Sequence, residues 1–106
     1  MGNYRGRLDI IADILNVASK DAKKTQIMYQ ANLSYKVLQR YLADVARAEL
    51  ISYVDSRQCY SLTDKGRAFL TMYEKYSRTN RHVEKKLYDV ASKRKLLEDL
   101  CPGEEF

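Results

Sequence analysis

Lys24-Thr25-Gln26-Ile27-Met28-Tyr29-Gln30-Ala31-Asn32-Leu33-Ser34-Tyr35 is the stretch on which the fold turns. Ile27, Met28 and Ala31 fall on one face of a short helix, and Thr25 stands where a capping hydroxyl belongs. Asn32 tolerates left-handed backbone better than most residues, so the helix is expected to close near Ala31. Leu33 then reads as the apolar plug of a tight turn. Ser34 caps a following helix that runs to about Ala48, with Val37, Leu38, Tyr41, Leu42 and Val45 as its buried stripe. Ser34, Tyr35, Lys36, Gln39, Arg40 and Ala43 are left on the other face. Two helices joined by a few residues, the second exposing polar and basic groups, make a helix-turn-helix pattern.

Working outward toward the N-terminus, Leu8, Ile11, Leu15 and Ala18 recur with a helical period of about 3.6 residues, and Ile10, Ile14 and Val17 widen the stripe. A first helix is expected from Arg5 to about Ser19, followed by the polar connector Lys20-Asp21-Ala22-Lys23-Lys24. Toward the C-terminus the period changes to two. Leu50-Ile51-Ser52-Tyr53-Val54 and Gln58-Cys59-Tyr60-Ser61-Leu62 are β-prone and flank the turn Asp55-Ser56-Arg57, which predicts a hairpin. Tyr60 and Leu62 share one face of it, and Cys59 and Ser61 point the other way.

Thr63 is a good N-cap, and no proline interrupts a helix from Asp64 until Pro102-Gly103. A helix to about Leu100 would be on the order of 55 Å long, more than a compact domain of this size can cover. Positions 73, 76, 80, 83, 87, 90, 94, 97 and 101 alternate steps of three and four, a heptad rhythm. Asn80 and Arg94 are polar members of that seam. The second half of the helix has no partner within its own chain, so pairing with a second copy is expected through Tyr73, Tyr76, Asn80, Val83, Leu87, Val90, Arg94 and Leu97. The predicted fold class is mainly α with a small β-hairpin. Residues 5–63 form the helix-turn-helix and its hairpin wing, 64–100 a coiled-coil dimerisation helix, and 101–106 an acidic tail with Glu104 and Glu105.

Composition limits the function classes. The 106 residues carry 45% hydrophobic and 31% charged side chains, which fits a globular domain and excludes a disordered tail. No run approaches the roughly 18 apolar residues of a membrane span. The start Met1-Gly2-Asn3-Tyr4-Arg5 lacks an apolar signal core, and Arg7 stands where a myristoylation site carries Ser or Thr. A cytoplasmic, nucleoid-associated location is therefore expected. Cys59 and Cys101 are far apart and one histidine, His82, serves the whole chain, so no zinc set forms. The two cysteines read as free thiols, with a disulfide left open. No glycine-rich phosphate loop, carboxylate pair in a cleft or nucleophile beside a histidine is present, which argues against an enzyme, a cofactor or a small-molecule ligand. The formal net charge is +5. Residues 1–47 hold eight Lys/Arg against four Asp/Glu, and residues 96–106 hold four acids and no base.

The segment from Lys24 to Tyr35 resembles the helix-turn-helix of archaeal winged-helix DNA-binding proteins. Tyr60-Ser61-Leu62-Thr63-Asp64-Lys65-Gly66 resembles the passage from wing strand to last helix in the same proteins. With the long final helix added, the chain is similar to the archaeal 10a family over nearly all of residues 5–100. That resemblance implies a dimer joined by an antiparallel coiled coil, with a winged helix at each end. The acidic tail and Arg94 in the seam depart from the family picture. An antiparallel pair would also set Glu98 and Asp99 beside the basic stretch near Lys75 and Arg78 of the second copy, whereas a parallel pair would oppose acid with acid. Single exposed pairs contribute only about 0–1 kcal/mol.

In such a fold the second helix enters the major groove of double-stranded DNA. Arg40 is then placed to fork onto guanine O6 and N7, and Gln39 to read adenine. Lys36 lies one turn from Arg40. Tyr35 and Ser34 reach phosphate or a thymine methyl, Lys23, Lys24 and Thr25 the backbone, and Arg57 at the wing tip the minor groove or its phosphates. A net charge of +5 is modest for a DNA coater, so a sequence-specific transcriptional regulator is favoured. An architectural chromatin protein and a winged-helix protein-docking module remain as alternatives.

Overall fold

The structure, a computed structural model, describes residues 5–103. The start Met1-Gly2-Asn3-Tyr4 and the acids Glu104 and Glu105 lie outside them. The elements are α1 (Arg7–Ala18), α2 (Lys24–Gln30), α3 (Tyr35–Arg47), β1 (Ile51–Val54), β2 (Cys59–Leu62) and α4 (Asp64–Leu100). The chain is mainly helical with one antiparallel hairpin, as its periodicities predict. Two compact units divide between Tyr73 and Glu74, so the opening turns of α4 belong to the first unit.

The core of the first unit is built from one stripe per helix: Ile11, Ile14, Leu15 and Ala18 of α1, Ile27 of α2, and Leu38, Leu42 and Val45 of α3, with Leu50 and Ile51 entering β1. Leu8, counted in the α1 stripe from its spacing, is instead 42% exposed, and Ala12 and Ile14 take the buried places. Phe69 and Leu70 of α4 pack against the same cluster half-buried. α1 starts at Arg7 rather than at the expected Arg5, with Gly6 as its N-cap, where the Gly6 N–H donates to the Asp9 carboxylate 2.9 Å away. Tyr73 donates its hydroxyl to the other oxygen of Asp9. These two bonds, the tyrosine's first, with Arg5 nearby, hold the Asp9 carboxyl below its ordinary 3.8.

Two of the helices end in the same way. After α2 the N–H groups of Asn32 and Leu33 bond back to Tyr29 and Met28, and Asn32 takes a φ of 55°. After α3 the N–H groups of Glu49 and Leu50 bond back to Ala46 and Val45, and Glu49 takes a φ of 65°. Both are Schellman closures with a left-handed residue. Asn32 announces its closure by residue type; Glu49 does not.

β1 and β2 pair in the register Ile51↔Leu62, Ser52↔Ser61, Tyr53↔Tyr60 and Val54↔Cys59. The turn takes in Gln58 as well as Asp55, Ser56 and Arg57, because Gln58 adopts φ 50° and leaves the strand. On its other edge β2 is bridged by Ala22, through Ala22 N–H to Tyr60 O at 3.0 Å and Tyr60 N–H to Ala22 O at 2.8 Å. β2 is thus the middle chain of three. Cys59, expected to face away from the packed side, is itself buried, while Tyr60 and Leu62 are half-buried against the core. Cys101 is exposed, and both thiols are free.

The junction between α3 and α4 depends on one glycine. Thr63 donates its N–H to Leu50 O and its hydroxyl to Glu49 O at 2.7 Å, and its Oγ1 accepts the Gly66 N–H at 3.0 Å. The Lys65 ammonium caps Ala48 O at 2.8 Å. The first turn of α4 therefore satisfies carbonyls that α3 leaves open. A Cβ at Gly66 would lie 2.2 Å from the Leu50 carbonyl oxygen and 2.6 Å from a Leu62 methyl. Alanine is the better helix former by about 1 kcal/mol, yet a clash with fixed backbone outweighs that. Gly66→Ala is expected to destabilise the protein by at least about 2 kcal/mol, whereas Glu49→Gly, relaxing a left-handed residue, should gain about 0.5–1 kcal/mol. Urea unfolding followed by circular dichroism at fixed protein concentration checks both signs.

Candidate nucleic-acid interface

The outward face of α3 is held by its inward one. Leu38, Leu42 and Val45 are buried, so Tyr35, Lys36, Gln39 and Arg40 must face solvent, and all four are exposed. Ser34 caps the helix as its type predicts, its hydroxyl oxygen accepting the Val37 N–H at 3.3 Å, which leaves its hydroxyl proton for another acceptor.

Lys24 joins this face from α2. Its ammonium lies 4.7 Å from the centre of the Tyr35 ring, 3.4 Å from the Tyr35 hydroxyl, and donates to the Gln39 side-chain carbonyl. An ammonium has donors only, so it fixes which end of the Gln39 amide turns inward and leaves the NH2 end outward. The two-point reading of adenine expected of Gln39 uses that carbonyl as well, on the second of its two lone pairs or in place of Lys24. Arg40 lies against its neighbour, with its guanidinium 5.6 Å from the Tyr41 ring centre.

Thr25 does not cap α2, as its type suggests it should. The N-cap of α2 is Lys23, with extended backbone and no capping side chain, and Thr25 sits exposed within the first turn. The Ala22–Tyr60 bridge holds the chain extended there, and the helix begins two residues later, at Lys24. Arg57 is tied back across the fold to Asp21 at 3.0 Å, which anchors the hairpin turn to the connector before α2. Lys23 and Lys36 carry no ion pair among the described residues.

The seam residues lie in the second unit, apart from Tyr73, which is half-buried in the first and bonded to Asp9. Val83, Leu87, Val90 and Leu97 are 47–68% exposed, and Tyr76, Asn80 and Arg94 are exposed as well. Arg94 pairs with Glu98 at 3.4 Å, and Lys95 with Asp99 at 3.6 Å, within the same helix. The acids assigned to a cross-chain role thus already have partners one turn away. Among the described residues no cluster of His, Cys, Asp and Glu is arranged to hold a metal, and no helix is long and apolar enough to cross a membrane.

A family model described as winged helix-turn-helix matches residues 4–81. The chain belongs to the winged helix-turn-helix family. An uncharacterised protein of Methanocaldococcus jannaschii is 39% identical over 75 residues, 70% of this chain and 35% of that protein, so the match spans about a third of the relative's length. Among solved structures, Sso10a-2, a DNA-binding protein from Sulfolobus solfataricus, superposes with a TM-score of 0.68 at 24% identity, over 94% of this chain and all of that one. This likeness in fold agrees with the resemblance to the archaeal 10a family read from the residues. ZitR of Lactococcus lactis, solved in complex with DNA, matches with a TM-score of 0.51 at 18% identity, over 94% of this chain and 77% of that one.

Within this winged helix, Arg5 was not singled out from the sequence. Its guanidinium donates to Ala31 O at 2.7 Å and Asn32 O at 2.8 Å and pairs with Asp13 at 2.8 Å. It clamps the turn between α2 and α3 and so sets the angle at which α3 is offered. A contact spanning 26 residues has no local signature. Arg5→Gln is expected to cost about 1–2 kcal/mol, since bonds from a charged donor are lost at a partly exposed site. Thermal unfolding of the variant against the parent measures it.

Proposed function

We propose that the chain binds double-stranded DNA as a sequence-specific transcriptional regulator and acts as a homodimer. One observation carries the reading: α3 offers Tyr35, Lys36, Gln39 and Arg40 on a single exposed face whose opposite side is locked into the core. A reading helix needs that rigidity, because base contacts of about 1–3 kcal/mol each depend on held geometry. Membership of the winged helix-turn-helix family supports it, as do the DNA-binding protein from Sulfolobus solfataricus and the DNA complex of ZitR, which share the fold.

In this reading Arg40 addresses guanine and Gln39 presents its NH2 end to a base acceptor. Lys36, Tyr35 and Ser34 hold phosphate or a thymine methyl, and Lys23, Lys24 and Thr25 hold the backbone. Arg57 reaches the minor groove when its bond to Asp21 opens. The homodimer forms through the seam from Tyr76 to Leu97, whose exposed Val83, Leu87 and Val90 gain a partner only from a second copy. Antiparallel pairing is preferred because it separates the two acidic ends, although the bonds of Glu98 to Arg94 and of Asp99 to Lys95 reduce the repulsion it avoids.

Binding of the purified protein to its own upstream region and to random duplex, titrated with salt, tests the reading. A steep salt slope with a preference of roughly a thousandfold, lost in Arg40→Ala, is the expected result. Equal binding to both duplexes indicates an architectural protein instead, and none at low salt leaves the docking module. Sedimentation at micromolar concentration is expected to give a dimer that Leu87→Glu converts to monomer; a monomeric parent would remove the seam from the proposal.

A further inference from the structure

We infer that α4 carries a second DNA-contacting surface, a basic strip between Lys75 and Lys86 that grips the phosphate backbone of a duplex. The inference rests on the DNA-binding reading above but uses none of the residues of the α3 face. The twelve residues 75–86 hold Lys75, Arg78, Arg81, Lys85 and Lys86 against Glu84 alone, a net of +4. The whole chain carries +5. The charge density of this stretch therefore exceeds that of the helix-turn-helix region, where residues 1–47 need eight bases and four acids to reach the same net value.

Position on the helix sharpens the point. At about 100° per residue, Lys75, Arg78, Arg81, His82 and Lys85 fall within roughly a third of the circumference, centred opposite the seam of Val83, Leu87 and Val90. All of the strip's side chains are exposed. None of its five Lys and Arg side chains takes part in an ion pair among the described residues. Glu84, the one acid inside the stretch, is bonded to Asn80 at 3.5 Å. Glu74 and Asp89 bound the strip at its ends, and Asp89 is occupied by Lys93 at 3.0 Å.

The rest of the same helix is arranged differently. From Asp89 to Asp99, Lys93, Arg94 and Lys95 are each matched with an acid one turn away. A solvated helix face is normally laced in this manner, since opposite charges at that spacing support the helix and like charges oppose it. Lys75 with Arg78, Arg78 with Arg81, and Arg81 with Lys85 are like pairs at three or four residues. Their mutual repulsion is relieved when a polyanion neutralises them. The strip is about 18 Å long, which matches about five phosphate steps of 3.4 Å along one strand. Side chains of Lys and Arg suit that target, as they contact phosphate without regard to sequence.

The experiment compares two double variants of the full chain that remove the same charge, Arg78→Gln with Lys85→Gln and Lys93→Gln with Lys95→Gln. Glutamine keeps the helix propensity of the residues it replaces, and circular dichroism checks helicity. Each lost phosphate contact lowers the slope of log affinity against log salt by about 0.9. The strip variant should therefore lose about two units of slope per chain, and the Lys93/Lys95 variant none, with the preferred sequence unchanged in both. An unchanged slope in the strip variant, or an equal fall in both, overturns the strip while leaving DNA binding intact. No binding by the parent protein at low salt overturns the DNA reading and the strip together.

Discussion

The first compact unit depends on the carbonyl of Leu50 and the side chain that Gly66 lacks. Leu50 ends the Schellman closure of α3, begins the run into β1, and lends its carbonyl to Thr63. α4 can start at that point only because a single hydrogen stands where any other residue would drive a Cβ to 2.2 Å from that oxygen. Hairpin, α3 and the start of α4 therefore share one small polar junction as well as the apolar core. Apolar packing is forgiving of shape to within a methyl group or so, whereas a shared carbonyl sets position and direction together. The angle of α3 is fixed from both ends, by this junction behind it and by the Arg5 clamp on the turn before it.

The exposed face so held is not idle in the isolated chain. Lys24, Tyr35 and Gln39 bond to one another, and Arg57 bonds to Asp21. Groups suited to phosphate and bases thus begin with internal partners, and any ligand must exchange those contacts for its own. Exposed pairs of this kind contribute little to stability, so the exchange costs little, but it preselects rotamers. Gln39 is the clearest instance, because a donor-only neighbour turns its amide end for end.

Much of this was legible in the residues themselves. The helical stripes, the capping Ser34, the left-handed Asn32, the two strands and the uninterrupted run from Asp64 all follow from period and residue type. What escaped the sequence was tertiary in origin. Glu49 and Gln58 take positive φ without being residues that favour it, within turns closed by Glu49 N–H to Ala46 O and Gln58 N–H to Asp55 O. Thr25 lost the cap to Lys23 because a bridge to Tyr60, far along the chain, decided where α2 begins. Cys59 is buried although it alternates with the half-buried Tyr60 and Leu62, which alone would have put it outside. Of the interface, the side chains that face out from α3 were readable, and their present partners were not.

The contrast between Cys59 and Cys101 gives this protein a clock of its own. A thiol reagent in native buffer meets Cys101 at once, while Cys59 becomes reachable only when β2 comes away from its neighbours. The rate at which the second thiol is consumed counts how often the wing opens, without any probe being introduced. Carried out with and without duplex present, the same chemistry would tell whether the wing is quieted by what the protein holds.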